Sequence, residues 1–122
     1  MKLETGESFS RLSRLTKAGE FKQVFQNNSR VSDDCFTLLV GKDQQDRARL
    51  GFAIAKKQVK RAVDRNKLKR LVRESFRKQQ YELPNTGIVV MVRFNVLKLS
   101  RQQIVERLNK HWRRVSKLCE KF

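Results

Sequence analysis

The chain has 122 residues, with 29 Lys and Arg against 12 Asp and Glu, a formal net charge of +17 and a pI near 10.8. That length suits one domain around a single modest core, residues 1–122. The longest aliphatic run, Ile88 to Val92, falls far short of the roughly 20 residues of a membrane helix, and the opening MKLETGESF carries no apolar segment of the secretory kind. A cytoplasmic protein is expected.

In chain order, residues 1–15 show no periodicity and are expected to run extended over the surface. Thr16 can cap a short helix through Phe21, Val24 and Phe25, whose i, i+3, i+4 spacing places them on one face. The Asn27-Asn28-Ser29 cluster should end it. CFTLLV, from Cys35 to Val40, reads as a strand, and Arg49 to Ala55 as a second, with Leu50, Phe52 and Ile54 alternating against small residues. Asp43 to Asp46 is the simplest hairpin loop to join them as antiparallel neighbours. A helix from about Arg61 or Arg65 to about Gln80 follows, then a turn at Pro84–Gly87 and a third strand, Ile88 to Phe94, buried on both faces. Ser100 and Gln103 form a capping box that opens the last helix, with Ile104, Leu108, Trp112, Val115 and Cys119 inward. The order is α-β-β-α-β-α, an α+β fold with helices on one side of a small sheet.

The charge is concentrated. Between Lys56 and Lys78, eleven of twenty-three residues are Lys or Arg, opposed by Asp64 and Glu74. Leu68, Leu71, Val72 and Phe76 recur at helical spacing, while Lys67, Lys69, Arg70, Arg73, Arg77 and Lys78 fall on the opposite arc. Such a folded basic blade repels itself unless a polyanion neutralises it, and a nucleic acid is the first partner to expect. An anionic membrane surface comes second, but the apolar arc is only as wide as a core-facing stripe requires.

Catalytic chemistry is not visible. His111 is the one histidine, and its place beside Trp112, Arg113 and Arg114 suggests a helix-surface position. The carboxylates are scattered, with Asp33-Asp34 in a turn, and give no two-metal pattern. Nucleotide-binding glycine motifs are missing. Cys35 and Cys119 lack ligand spacing and are expected to be reduced, in or near a core. If a reaction occurs, another molecule performs it. Three elements can meet a polyanion: the basic helix with its lead-in Lys56, Lys57, Lys60 and Arg61; the aromatics Phe21, Phe25, Phe36 and Phe52, whose spacing alone favours ordinary core over base-stacking platforms; and the charged side of the last helix. Phosphate contacts of this kind position an RNA without reading its sequence.

Ala55-Lys56-Lys57, then Arg65-Asn66-Lys67-Leu68-Lys69-Arg70 and Arg73-Glu74, resembles the signature of the bacterial ribonuclease P protein family, with its Arg-Asn-Arg hallmark. Upstream, Arg14-Leu15-Thr16 with Phe21, Val24 and Phe25 is similar to the family's opening. Leu83-Pro84, Val89–Val92 and Trp112-Arg113-Arg114 match in order and spacing, so the resemblance covers about Arg11 to Leu118. Its one notable departure is Lys67 in the hallmark's third position, which keeps the charge and loses the planar fork.

The resemblance implies a mixed sheet with a left-handed β-α-β crossover, against the usual rule. It implies a large RNA subunit that holds Mg²⁺ and removes the 5′ leader from precursor tRNA, while the protein binds no cofactor of its own. No membrane and no obligate protein partner are implied. The catalytic-RNA contacts would be Lys60, Arg61, Arg65, Asn66, Lys67, Lys69, Arg70 and Arg73. A cleft between the first helix and the sheet would guide the leader past Arg11, Arg14, Phe21, Phe25, Phe36, Lys56 and Lys57. The competing expectations are a general structured-RNA or ribosome-associated binding protein, an architectural DNA-binding protein, and a protein-only nuclease.

Overall fold

The computed structural model describes residues 22, 24–42 and 47–119. Residues 24–26 are helical, and the Asn28 side chain closes this segment by donating to the carbonyls of Val24 (2.7 Å) and Phe25 (3.1 Å). The same Asn28 opens strand β1 (Asn28–Ser32), which the polar sequence NSRVS concealed. Only Val31 of its five residues is buried, the mark of an edge strand. Strands β2 (Phe36–Gly41) and β3 (Arg49–Ala53), helix α1 (Ala62–Gln79), strand β4 (Gly87–Val92) and helix α2 (Arg101–Cys119) follow, with short 3-10 turns at Gln80–Glu82 and Phe94–Lys98.

The sheet order is β1-β2-β4-β3. β2 and β3 therefore do not form the expected antiparallel hairpin; β4 lies between them, antiparallel to β2 and parallel to β3. The sequence of β4, GIVVMV, explains the order, because a run that is apolar at successive positions suits a central strand covered on both faces. Residues 43–46, read as the hairpin loop, lie outside those described. The parallel pair β3–β4, joined through α1, is the β-α-β unit of a mixed sheet.

Strand alternation divides the sheet into two faces. Phe36, Leu38 and Val40 of β2, Leu50 of β3 and Ile88, Val90 and Val92 of β4 share one core with Leu68, Val72 and Phe76 of α1 and Ile104, Leu108, Trp112 and Val115 of α2. On the other face Leu39 and Val89 pack on Val24, with Ala53 beside them. The helices lock together where Trp112 Nε1 donates to Ser75 Oγ at 2.7 Å and the indole meets Phe76 edge-on at 5.9 Å between centroids. The capping box forms as the sequence predicts: Gln103 N–H donates to Ser100 Oγ (3.1 Å), and Ser100 N–H to Gln103 Oε1 (2.8 Å). Among the described residues no helix is long and apolar enough to cross a membrane.

Candidate nucleic-acid interface

Helix α1 spans 18 residues, about 27 Å at 1.5 Å per residue. Its buried side is Leu68, Val72, Ser75 and Phe76. Opposite them, Asn66, Lys67, Arg70, Glu74 and Lys78 are exposed, at steps of one, three and four that keep them on one outward stripe. Lys56, Lys57, Lys60 and Arg61 are also exposed, in the turns between β3 and the helix. Asp64 in the first turn offsets the positive helix terminus there.

The remaining cations of the helix behave differently. Arg65 is half-buried. Its Nη1 donates to the carbonyls of Val59 (2.9 Å) and Lys60 (2.8 Å), so it ties the lead-in to the first turns of α1. No side chain caps this helix at Arg61, and Arg65 supplies the local order instead. Two turns on, the Arg73 guanidinium lies 5.4 Å from the centroid of the Phe52 ring, a cation–π contact that packs the helix flank on β3. Lys69, half-buried between them at i+4, shares that flank. The eight sequence-predicted contacts thus separate into an outward group, Lys60, Arg61, Asn66, Lys67 and Arg70, and a group turned toward the protein, Arg65, Lys69 and Arg73.

The second set of predicted residues is less unified. Arg11, Arg14 and Phe21 lie outside the described residues. Phe25, on the helical segment before β1, is 46% exposed. Lys56 and Lys57 follow the end of β3. Phe36 is a correction: it has no exposed surface, and its ring stands edge-on to His111 beneath α2. The pleat is the reason. Phe36 shares its sheet face with Leu38 and Val40 under the helices, whereas the face near Val24 carries Thr37, Leu39 and, in register, Val89 and Met91 of β4 and Gly51 and Ala53 of β3. Phe36 is core, and Thr37, Met91 and Ala53 lie on the opposite sheet face, where Met91 is exposed and Thr37 nearly buried. Alternation counted from Leu39 would have found them.

His111 is a second correction. It is 2% exposed, not a surface residue, and its Nε2 donates to Asp33 Oδ2 at 2.8 Å. Asp33 forms the expected turn between β1 and β2, its Oδ1 accepting the N–H of Cys35 (2.7 Å) and of Phe36 (2.8 Å). Arg107 pairs with Asp34 and lies 3.5 Å from Asp33. Burial pushes the Asp33 carboxyl upward, but the two backbone N–H groups and the imidazole outweigh it and hold the group below its ordinary value. Burial, offset in part by Arg107, pushes the Cys35 thiol up, which leaves a buried and unreactive cysteine. Asp33, Asp34 and Cys35 come close enough to bind a metal, yet Arg107 and His111 already occupy the carboxylates. This cluster clamps α2 to the β1–β2 turn. The Cys119 side chain lies outside the description.

The ribonuclease P family model matches residues 9–116. The ribonuclease P protein component of Pseudoalteromonas atlantica is 45% identical over 114 residues, spanning 93% of this chain and 95% of that one. The structures of the RNase P proteins of Staphylococcus aureus (TM-score 0.75, 26% identity, 86% of this chain and 95% of that one) and Thermotoga maritima (0.73, 30%, 84% and 96%) superpose on this fold. With the basic helix, its hallmark segment and the mixed sheet all inside the matched span, the chain belongs to the bacterial ribonuclease P protein family, as the protein component of that endoribonuclease and a partner of its RNA.

Proposed function

We propose that the outward stripe of α1 seats the protein on the ribonuclease P RNA while the sheet face beside Val24 receives the 5′ leader of precursor tRNA. The observation that carries this reading is the sorting of cations on α1. Asn66, Lys67 and Arg70 are exposed on a packed helix, and Lys60 and Arg61 extend them at its N-terminal end. A helix keeps these groups at fixed spacing, so they neutralise a phosphate backbone without a further cost in backbone ordering. Arg65 and Arg73 build the platform that presents them. Phe25, Lys56 and Lys57 are the leader candidates among the described residues, with Phe36 removed; Met91, exposed on the opposite face of the sheet, replaces it.

In this reading the protein performs no bond cleavage. The RNA subunit supplies the Mg²⁺ and the hydrolysis, and the protein lowers the repulsion between two polyanions. Cations within a Debye length, about 8 Å at physiological salt, act on both strands. The reaction belongs in the cytoplasm, where tRNA precursors are made. The direct test is binding to ribonuclease P RNA: Lys67→Ala with Arg70→Ala should weaken assembly at least about tenfold at physiological salt. Unchanged assembly would refute the stripe as the docking surface, and equal affinity for unrelated folded RNAs would favour a general RNA-binding protein.

A further inference from the structure

The 3-10 turn Phe94–Lys98 presents two hydrophobic residues, Phe94 and Leu97, outward. In a 3-10 helix, residues three apart eclipse one another, so Phe94 and Leu97 share one side, and they are 55% and 52% exposed. Val96 faces the other way and is buried, which anchors the turn on the core. Phe94 is held in place from its backbone: its N–H donates to Gln58 Oε1 at 3.1 Å. That bond joins the turn to the lead-in of α1. Between them runs a groove of about 460 Å³, with Phe94 and Leu97 on one wall and Lys57, Lys60 and Arg61 on the other. Lys98 Nζ adds a further cation 5.9 Å from the Phe94 ring centroid. Among the described residues Asp64 is the one acid lining the groove.

We infer that this groove binds an unpaired nucleotide of an RNA, its base stacked on Phe94 and its phosphates met by Lys57, Lys60 and Arg61. An exposed aromatic ring beside several cations is the combination that single-stranded nucleic acids use, since every base has a face to stack and every linkage a charge. A second copy of this chain suits it less well, because another strongly basic surface would be repelled. The sequence reading of Ile88 to Phe94 as one strand hid the site, by assigning Phe94 to the sheet. The inference rests on the protein's working on RNA; it shares Lys60 and Arg61 with the α1 stripe and Lys57 with the leader candidates, and adds Phe94 and Leu97 as a stacking wall beside them.

The test uses the full chain with Phe94→Trp, titrated with a 12-nucleotide oligouridylate and, separately, with a blunt RNA hairpin of equal length. Trp112 is buried, so the new indole reports the groove. Tyr81→Trp, at the other end of α1, serves as the control for non-specific quenching. The expected result is saturable quenching at position 94 by the oligouridylate, stronger than by the hairpin and than at position 81. Phe94→Ala should lose roughly 5- to 150-fold in oligouridylate affinity, the equivalent of ~1–3 kcal/mol per stacked base, and Phe94→Leu should fail to restore it. Equal quenching at both positions, none at 94, or full binding by Phe94→Leu would overturn the site. So would self-association in sedimentation that Phe94→Ala abolishes. Stimulation of ribonuclease P RNA, measured alongside, reads the proposed function independently: stimulation without quenching removes the groove and leaves that function standing.

Discussion

Arg65 Nη1 donates to the carbonyl oxygen of Lys60 at 2.8 Å, so a cation of the hallmark segment orders the backbone of a cation in the lead-in. The same nitrogen reaches the carbonyl of Val59, a fully buried residue. The hallmark is thus partly an internal brace. A guanidinium has five N–H donors, and spending two on the lead-in leaves it able to meet a phosphate as well.

Arg65→Ala and Arg70→Ala should therefore fail in different ways. Arg65→Ala should lower stability by about 1 kcal/mol, through two lost hydrogen bonds in a partly exposed site, and should speed amide exchange across residues 55–61. Arg70→Ala, at an exposed position, should stay within about 0.5 kcal/mol of the parent yet weaken RNA binding. Thermal melts and hydrogen exchange on both variants check this.

Lys67 is exposed and replaces the planar fork with a point charge. Removing it with Lys67→Ala should reduce the slope of log affinity against log salt by about 1, the signature of one lost phosphate contact. Lys67→Arg should keep the slope and tighten binding at fixed salt, because a bidentate contact becomes available. Filter binding of ribonuclease P RNA over a salt series measures both.

Phe25 and Phe36 should part company as well. Phe36→Leu should cost about 1 kcal/mol of stability by disturbing a filled core and should not alter the ratio of affinities for leader-bearing and mature tRNA. Phe25→Ala should leave stability nearly unchanged and lower that ratio. Paired binding assays on the assembled ribonucleoprotein distinguish them.

Asp33 predicts a pH dependence. Its carboxyl is held below the ordinary value in the folded protein, so its contribution is complete above the unfolded pKa and is lost as pH falls through the folded one. Asp33→Asn should be less stable than the parent near pH 7, by ~1–3 kcal/mol, and the gap should close in acid below about pH 4. Melts of both proteins from pH 7 to pH 3 provide the measurement.

What was legible in the sequence followed from local chemistry. The 3.6-residue period gave the end of α1 within a residue and left its start between Arg61 and Arg65, where Ala62 proves to open it, and Ser100 with Gln103 gave the start of α2, because both signals are local. The β1 strand was hidden because Asn28 serves two local roles, closing a helical segment and opening a strand. Strand order was hidden for a different reason. Whether β3 pairs with β2 or β4 depends on contacts across the fold, and an apparent loop at 43–46 says nothing about a strand that begins only at Gly87. The site showed the same division. The cations of α1 were found as a group, but their separation into an exposed stripe and a braced flank depends on β3 and the lead-in. Phe36 looked like Phe25 in sequence, and only the sheet's pleat placed it beneath α2. His111 was misplaced because its partner, Asp33, is 78 residues away.

The central claim is that this protein lets a catalytic RNA hold its substrate when divalent ions are scarce. It is tested most directly by cleavage of a 5′-extended precursor tRNA by bacterial ribonuclease P RNA at limiting Mg²⁺, with and without the protein. Cleavage at the mature 5′ end is expected only when both are present, with the Mg²⁺ requirement rising again for Lys67→Ala with Arg70→Ala. Equal cleavage with and without the protein, at a salt where it demonstrably binds that RNA, would contradict it.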